Sequence, residues 1–228
     1  DFTSGATLED NDFGNWESAT KSGMKFEDLD ADGVFDPEEE DDGLSGWTIY
    51  VDYDDDGFTD PTGDGCTDEA GEDPCDVTDA NGDYEITGIL PGTWKVKEVS
   101  QMGWTCSYPD EDPNCYYEED FTSGATLEDN DFGNWYPGTK DGFKFSDLDY
   151  NGVWAEGTEP LLSGWTIEVY DDTDMDGSLS ATEFAAGYVD TYTTDATTGA
   201  YSFTLDPGFY VVCEVTQTDW IQSAPSNS

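Results

Sequence analysis

The stretch from Asp28 to Glu39, DLDADGVFDPEE, carries oxygen ligands in a fixed rhythm. Asp28, Asp30 and Asp32 alternate, Gly33 follows, and Asp36 and Glu39 stand at positions nine and twelve of the loop. This is the spacing D-x-D-x-D-G-x5-E of a calcium-binding loop. Alternate carboxylates in a tight turn converge on one point, and glycine permits the reversal. The carbonyl of Val34 then turns inward and a late acid closes the shell. Hard oxygen donors without nitrogen or sulfur select Ca²⁺ over transition metals. Three more loops follow the rule. DYDDDGFTD offers Asp52, Asp54, Asp56, the Phe58 carbonyl and Asp60. DLDYNGVWAEGTE offers Asp147, Asp149, Asn151, the Val153 carbonyl, and Glu156 or Glu159. DTDMDGSLSATE offers Asp172, Asp174, Asp176, the Ser178 carbonyl and Glu183. A fifth cluster, Asp79, Asn81 and Asp83, reads better as a hairpin turn.

The elements that must hold these loops read as strands. GWTIYVDY, DYEITGI and TWKVKEV alternate large apolar with polar residues and are rich in β-branched and aromatic types. Gly, Pro, Asn and Asp clusters separate them at the spacing of an all-β sandwich. The one short helical candidate is SATEFAAGY. Because strands flank the loops, the helix-pair opening of EF-hand sensors is not available, and a structural role for the metal fits better.

The chain repeats itself. GMKFEDLDADGV matches GFKFSDLDYNGV, LSGWTIYV matches LSGWTIEV, and LPGTWKVKEV matches LDPGFYVVCEV. The segment DFTSGATLEDNDFGNW occupies residues 1–16 and returns unchanged at residues 120–135. The expected organisation is two tandem sandwiches, residues 16–134 and 135–228. In the first, the segment ending at Asn134 supplies the final strand. The second lacks that strand, so residues 1–15 are expected to complete the second domain of a neighbouring unit. That unit is either continuous in a longer chain or a separate subunit. The competing expectation is an arbitrary fragment with residues 1–15 loose or folded back on their own chain.

Composition narrows the partners. Lys plus Arg number 6, Asp plus Glu 55, His is absent, and the net charge is −49. Binding to nucleic acid or an anionic membrane by charge is excluded. Aromatic residues make up 14% of the chain, enough to build cores where acidic excess alone would read as disorder. No apolar run reaches the length of a membrane span. Without His, no Ser/His/Asp or Cys/His set is available, and the acids that could hydrolyse glycosides are committed to the loops. The chain therefore does not read as an enzyme. Cys66 and Cys75 flank one polar loop and Cys106 and Cys115 another, each pair spaced for a local disulfide in an oxidising, extracellular setting. Cys213 is left over, as a buried small residue or a free thiol.

The ordered motifs, DLDADGVFDPEE with GLSGWTIYVD, then TDANGDYEITGILPGTWKVKEV, then DFGNW, resemble the B-type repeat domains of serine-aspartate-repeat adhesins and of collagen adhesins. The resemblance spans both repeats. It implies an Ig-like or transthyretin-like β-sandwich, calcium in the acidic loops, and a stalk or adhesive role on a cell surface. Some such relatives carry a Lys–Asn isopeptide bond assisted by a Glu. The matching residues here are Lys25 and Lys144, Glu98 and Glu214, and Asn130 or Asn134. The reading preferred from sequence places each lysine and glutamate on opposite faces of solvated strands, since buried lysine is rare. The functions to separate are a calcium-stiffened unit of an extracellular fibre, with copies of itself as partner, and an adhesin binding glycan or protein. An adhesin would use the cysteine loops with Tyr108, Tyr116 and Tyr117, whose alternative role is turn stabilisation.

Overall fold

A computed structural model of the chain describes residues 4, 12–37, 41–58, 66, 73–109 and 115–225. The chain forms two compact units, Asp1–Trp135 and Tyr136–Ser228.

Unit one contains β1 (Ala19–Glu27), β2 (Thr48–Asp52), β3 (Cys75–Val77), β4 (Asp83–Ile89), β5 (Gly92–Glu98), β6 (Thr105–Tyr108), β7 (Tyr116–Phe121), β8 (Thr126–Leu127) and β9 (Phe132–Trp135). One sheet has the order β4-β1-β9-β6 with β8 beside β1, and the other the order β3-β2-β5-β7. The two-residue alternation of the strands decides what lies between the sheets. In β4, Tyr84 and Ile86 turn inward while Asp83, Glu85 and Thr87 face solvent. Ile49 and Val51 of β2, Val96 of β5, Phe121 of β7 and Phe132 of β9 complete the core. β9 runs parallel to β1 on one side, with Lys25 opposite Phe132, Phe26 opposite Gly133 and Glu27 opposite Asn134. On its other side it is antiparallel to β6.

Unit two contains β10 (Gly138–Phe143), β11 (Thr166–Asp171), α1 (Ala181–Ala186), β12 (Asp190–Thr193), β13 (Ala200–Leu205) and β14 (Tyr210–Glu214). Its sheets are β10-β13 and β12-β11-β14. They correspond to β1-β4 and β3-β2-β5 of unit one. Ile167, Val169 and Phe203 form its core, with Tyr201, Leu205, Tyr210 and Val212 packed against them. The edge-to-face pair Trp47–Trp104 recurs as Trp165–Trp220. Among the described residues, unit two has no strand at the places of β6, β7, β8 and β9. The fold is all-β in both units, and α1 is the only helix among the described residues.

Disulfides join Cys66 to Cys75 and Cys106 to Cys115. The first ties the segment between β2 and β3 to the start of β3. The second ties β6 to the residue before β7. Cys213 is a free, half-buried thiol on β14, and burial pushes its pKa up. No described helix is long and apolar enough to cross a membrane.

Candidate metal centres

Three acidic loops leave a strand end, the third starts a few residues after β10, and all four turn in the same way. The first aspartate accepts hydrogen bonds from the amide of the glycine at position six. Gly33 donates to Asp28 at 2.8 Å, Gly152 to Asp147 at 2.8 Å and Gly177 to Asp172 at 2.9 Å. In the second loop Gly57 donates to Asp52 at 3.3 Å. Position four takes a positive φ in every loop, at Ala31 (61°), Asp55 (64°), Tyr150 (68°) and Met175 (57°). Position six follows with a second positive φ, which explains glycine there at Gly33, Gly57, Gly152 and Gly177. The side chain at position five accepts from the amide two residues on: Val34 to Asp32 at 2.8 Å, Val153 to Asn151 at 2.6 Å and Ser178 to Asp176 at 2.8 Å. Four sequences of different composition thus share one backbone path.

The path brings carboxylates together. Asp28, Asp30 and Asp32 each offer an oxygen within 4.8 Å of the others, and so do Asp147, Asp149 and Glu159, and Asp172, Asp174 and Glu183. In the second loop the converging set is Asp52, Asp56 and Asp73. Partial desolvation lifts the Asp174 carboxyl above its ordinary range, with Asp176 and Glu183 reinforcing it. Hydrogen bonding with Asp56 lifts Asp54. These are carboxylates short of positive charge, the condition that a hard divalent cation relieves.

The closing carboxylate is where sequence spacing was a partial guide. In the third loop Glu159, and not Glu156, is buried and accepts from the amides of Leu148 (2.7 Å) and Ala155 (2.9 Å). In the fourth, Glu183 accepts from Thr173 at 2.8 Å, and amides of Ser180 and Thr173 hold its carboxyl down at about 2. Glu183 also sits in the capping box of α1 with Ser180, so a single residue starts the helix and closes the loop. In the first loop the place of Glu159 is held by Asp41, buried and accepting from Leu29 (3.1 Å) and Asp36 (2.9 Å). Glu39 and Asp60 lie outside the described residues. Asp73, buried beside Tyr53, closes the second loop from beyond the cysteine-clamped insert, too far along the chain for a twelve-residue pattern to find. The carbonyl positions Val34, Phe58, Val153 and Ser178 stand at position seven of each loop. Asp79 accepts from the amides of Asn81 (2.7 Å) and Asp83 (3.1 Å), the geometry of a hairpin turn.

The second loop differs in carrying its own cations. Lys97 reaches Asp52 and Asp55 at 2.9 Å, and Lys95 reaches Asp55 at 2.9 Å. Hydrogen bonds from Lys95 and Lys97 hold the Asp55 carboxyl at about 2. The corresponding residues of unit two are Val211 and Cys213, which bring no charge.

Lys25 and Lys144 are each paired with their glutamate away from solvent, which overturns the opposite-face reading. Lys25 is fully buried, 3.3 Å from Glu98, and donates to the Asn134 side-chain oxygen at 2.6 Å. The Asn134 amide donates in turn to Glu98 at 2.8 Å. Burial pushes the Lys25 amine down to about 8 and lifts the Glu98 carboxyl. Strand alternation misses this because the three polar side chains meet one another inside the sandwich, where Glu98 Oε2 faces Lys25 as an ion pair without a hydrogen bond. Asn130 is also buried, but its backbone carbonyl serves Tyr84 at 2.6 Å. In unit two Lys144 meets Glu214 at 2.6 Å. Both lysines lie 4.5 Å from a tryptophan ring, Lys25 over Trp47 and Lys144 over Trp165.

No protein-family model matches the sequence, and no curated protein matches it. Solved structures share a distant likeness. The Bacillus anthracis TIE protein is 16% identical, with a TM-score of 0.37 over 87% of this chain and 28% of its own. A streptococcal ancillary pilin is 16% identical, with a TM-score of 0.38 over 90% of this chain and 56% of its own. The shaft pilin SpaA from Lactobacillus rhamnosus GG is 11% identical, with a TM-score of 0.31 over 90% of this chain and 89% of its own. This chain therefore spans well under two thirds of the first two. At these scores the likeness has no bearing on function.

Proposed function

We propose that this protein is a structural unit of an extracellular, cell-surface fibre or stalk, stiffened by calcium and assembled head to tail, either by tandem repetition in a longer chain or by strand complementation through residues 1–15. The observation that supports it best is the shared path of four oxygen-only loops at matching places in two units. Without metal, each loop crowds three carboxylates, countered in the second by Lys97 on Asp52; with Ca²⁺ the same oxygens would become a rigid joint. Two disulfides accord with an oxidising compartment. The partners in this reading are calcium and further copies of the same chain. Nucleic acid and lipid have no basic surface to meet, since the chain carries 6 basic residues against 55 acidic ones.

The adhesin reading is weakened by what its aromatic residues do. Tyr117 donates to the Asp131 carbonyl at 2.7 Å and packs on Phe132, while the Tyr116 ring lies over Lys95 at 4.5 Å. Both serve the sandwich, and Tyr108, which packs edge-on against Tyr117, is the exposed member of the three. Direct counting of bound metal after gel filtration, by elemental analysis, tests the calcium reading. The expected result is two to four calcium ions per chain, with the lysine-filled second loop the weakest. Fewer than one per chain would end it.

A further inference from the structure

The second acidic loop is built with cations that the other three lack. Two of the chain's six basic residues, Lys95 and Lys97, reach it from β5. Strand register puts them there. Asp52, at the end of β2, stands opposite Lys95, and Tyr50 stands opposite Lys97. Val96 between the two lysines is fully buried in the core, so by two-residue alternation both lysines stand on the outer face of the sheet. From the other side β7 sets Tyr116 opposite Lys97. Its ring centre lies 4.5 Å from the Lys95 ammonium and 5.8 Å from that of Lys97.

The lysines meet the residues that shape the turn. Lys97 Nζ donates to Asp52 Oδ2 and to Asp55 Oδ1, both at 2.9 Å. Lys95 Nζ donates to both Asp55 oxygens at 2.9 Å. Asp52 is the first aspartate of the loop, and its Oδ2 also accepts from the glycine at position six. With that oxygen shared, the glycine bond is the longest of the four loops, 3.3 Å against 2.8, 2.8 and 2.9 Å. Asp55 stands at position four, which supplies no ligand in a calcium loop. Ala31, Tyr150 and Met175 hold that position elsewhere, so only the second loop has an acid there. The converging carboxylates differ as well. Asp30, Asp149 and Asp174, at position three, belong to the sets of their loops, whereas Asp54 does not join Asp52, Asp56 and Asp73.

We propose that Lys97 is the built-in cation of the second loop, steadied by Lys95 on Asp55, and that calcium enters this loop only in exchange for the Lys97 ammonium on Asp52. The exchange deepens the calcium reading above and rests on it; the role of the lysine does not. An ammonium and a calcium ion on one carboxylate repel each other at close range. In the exchange Lys97 keeps its proton, leaves Asp52 and keeps its bond to Asp55, which gives the displaced ammonium a seat outside the ligand positions. The other three loops have no lysine among the described residues to take the place of the metal. The second loop is therefore closed with or without calcium, and its calcium affinity is set by Lys97.

The test compares the unaltered full chain with Lys97→Met, which keeps the apolar stem and drops the charge. Lys97→Gln is a second neutral variant, and Lys97→Arg keeps the cation. Hydrogen exchange in chelator reads the lysine's role. Residues 54–57, whose amides close on Asp52, should exchange more slowly in the unaltered chain than residues 30–33 of the first loop. In both neutral variants they should exchange about tenfold or more faster, the worth of a hydrogen bond between charged groups. Titration calorimetry with calcium reads the exchange. One site should tighten about tenfold or more in the neutral variants, while Lys97→Arg should match the unaltered chain in both measurements. Calcium binding by the unaltered chain, with the same isotherm and the same exchange in both neutral variants, overturns the proposal and leaves the calcium reading standing. Faster exchange of residues 54–57 in the neutral variants, with no calcium bound by any chain, supports the lysine as the loop's cation and ends the calcium reading.

Discussion

Withdrawing calcium should remove most of the stability of unit two. Two of the four loops belong to it, closed by Glu159 and Glu183. A site held at a hundredfold excess over its dissociation constant contributes about 2.7 kcal/mol, so the pair contributes about 5 kcal/mol. The core that remains is Ile167, Val169 and Phe203 with four half-buried neighbours, in a unit with no disulfide among its described residues. Small domains have roughly 5–15 kcal/mol in total. At roughly 4–8 °C per kcal/mol for a domain of this size, the transition should fall by roughly 20–40 °C. Scanning calorimetry of the full chain in excess calcium and then in excess chelator reads this directly. The transition of unit two should move furthest, because unit one keeps its larger core and two disulfides. Asp172→Ala, which removes the first ligand of one loop, should give about half the shift. Asp206→Asn, exposed between β13 and β14, should give none. A chelated sample that melts within a few degrees of the loaded one would refute the reasoning.

Further outcomes follow from other parts of the molecule. Asp41→Asn and Asp73→Asn should each weaken calcium binding by one site, read by titration calorimetry, although neither stands at position twelve of its loop; unchanged stoichiometry and affinity would remove them as closing ligands. The depressed Lys25 amine faces the Asn134 amide beside a carboxyl lifted by burial. Attack of Nζ on the amide carbon forms one C–N bond, breaks another and releases ammonia. Intact mass spectrometry should therefore find the chain one ammonia lighter than its sequence, and Glu98→Gln should restore the full mass; a full mass in the unaltered chain would exclude the bond. Association of copies should strengthen with salt, because each carries a net charge of −49; sedimentation that weakens with salt would mean a junction dominated by ion pairs.

Much of this was legible in the sequence, and the rest was hidden for identifiable reasons. Alternation in DYEITGI and GWTIYVDY announces strands because one face of each is buried, and Tyr84, Ile86, Ile49 and Val51 are the residues that face inward. The position-six glycines and alternating aspartates announce the loops because both follow from local backbone geometry. Loop closure is less local. Asp41 turns back on its loop through the amides of Leu29 and Asp36, and the insert clamped by Cys66 and Cys75 places Asp73, which converges on the second loop, outside any short pattern. The burial of Lys25 escapes the sequence pattern for a related reason. Nothing within β1 distinguishes Lys25 from a solvated lysine; its partners come from β5 and from β9. Lys97 in the second loop likewise arrives from β5.

A calcium-dependent fibre, as proposed, requires copies of this unit to join. Sedimentation velocity of the purified full chain, over a concentration series with calcium and again with chelator, tests it most directly. The account predicts a series of species growing with concentration in calcium and dissolving toward the 25.0 kDa chain in chelator. A single 25.0 kDa species at every concentration, with calcium and without it, would contradict it.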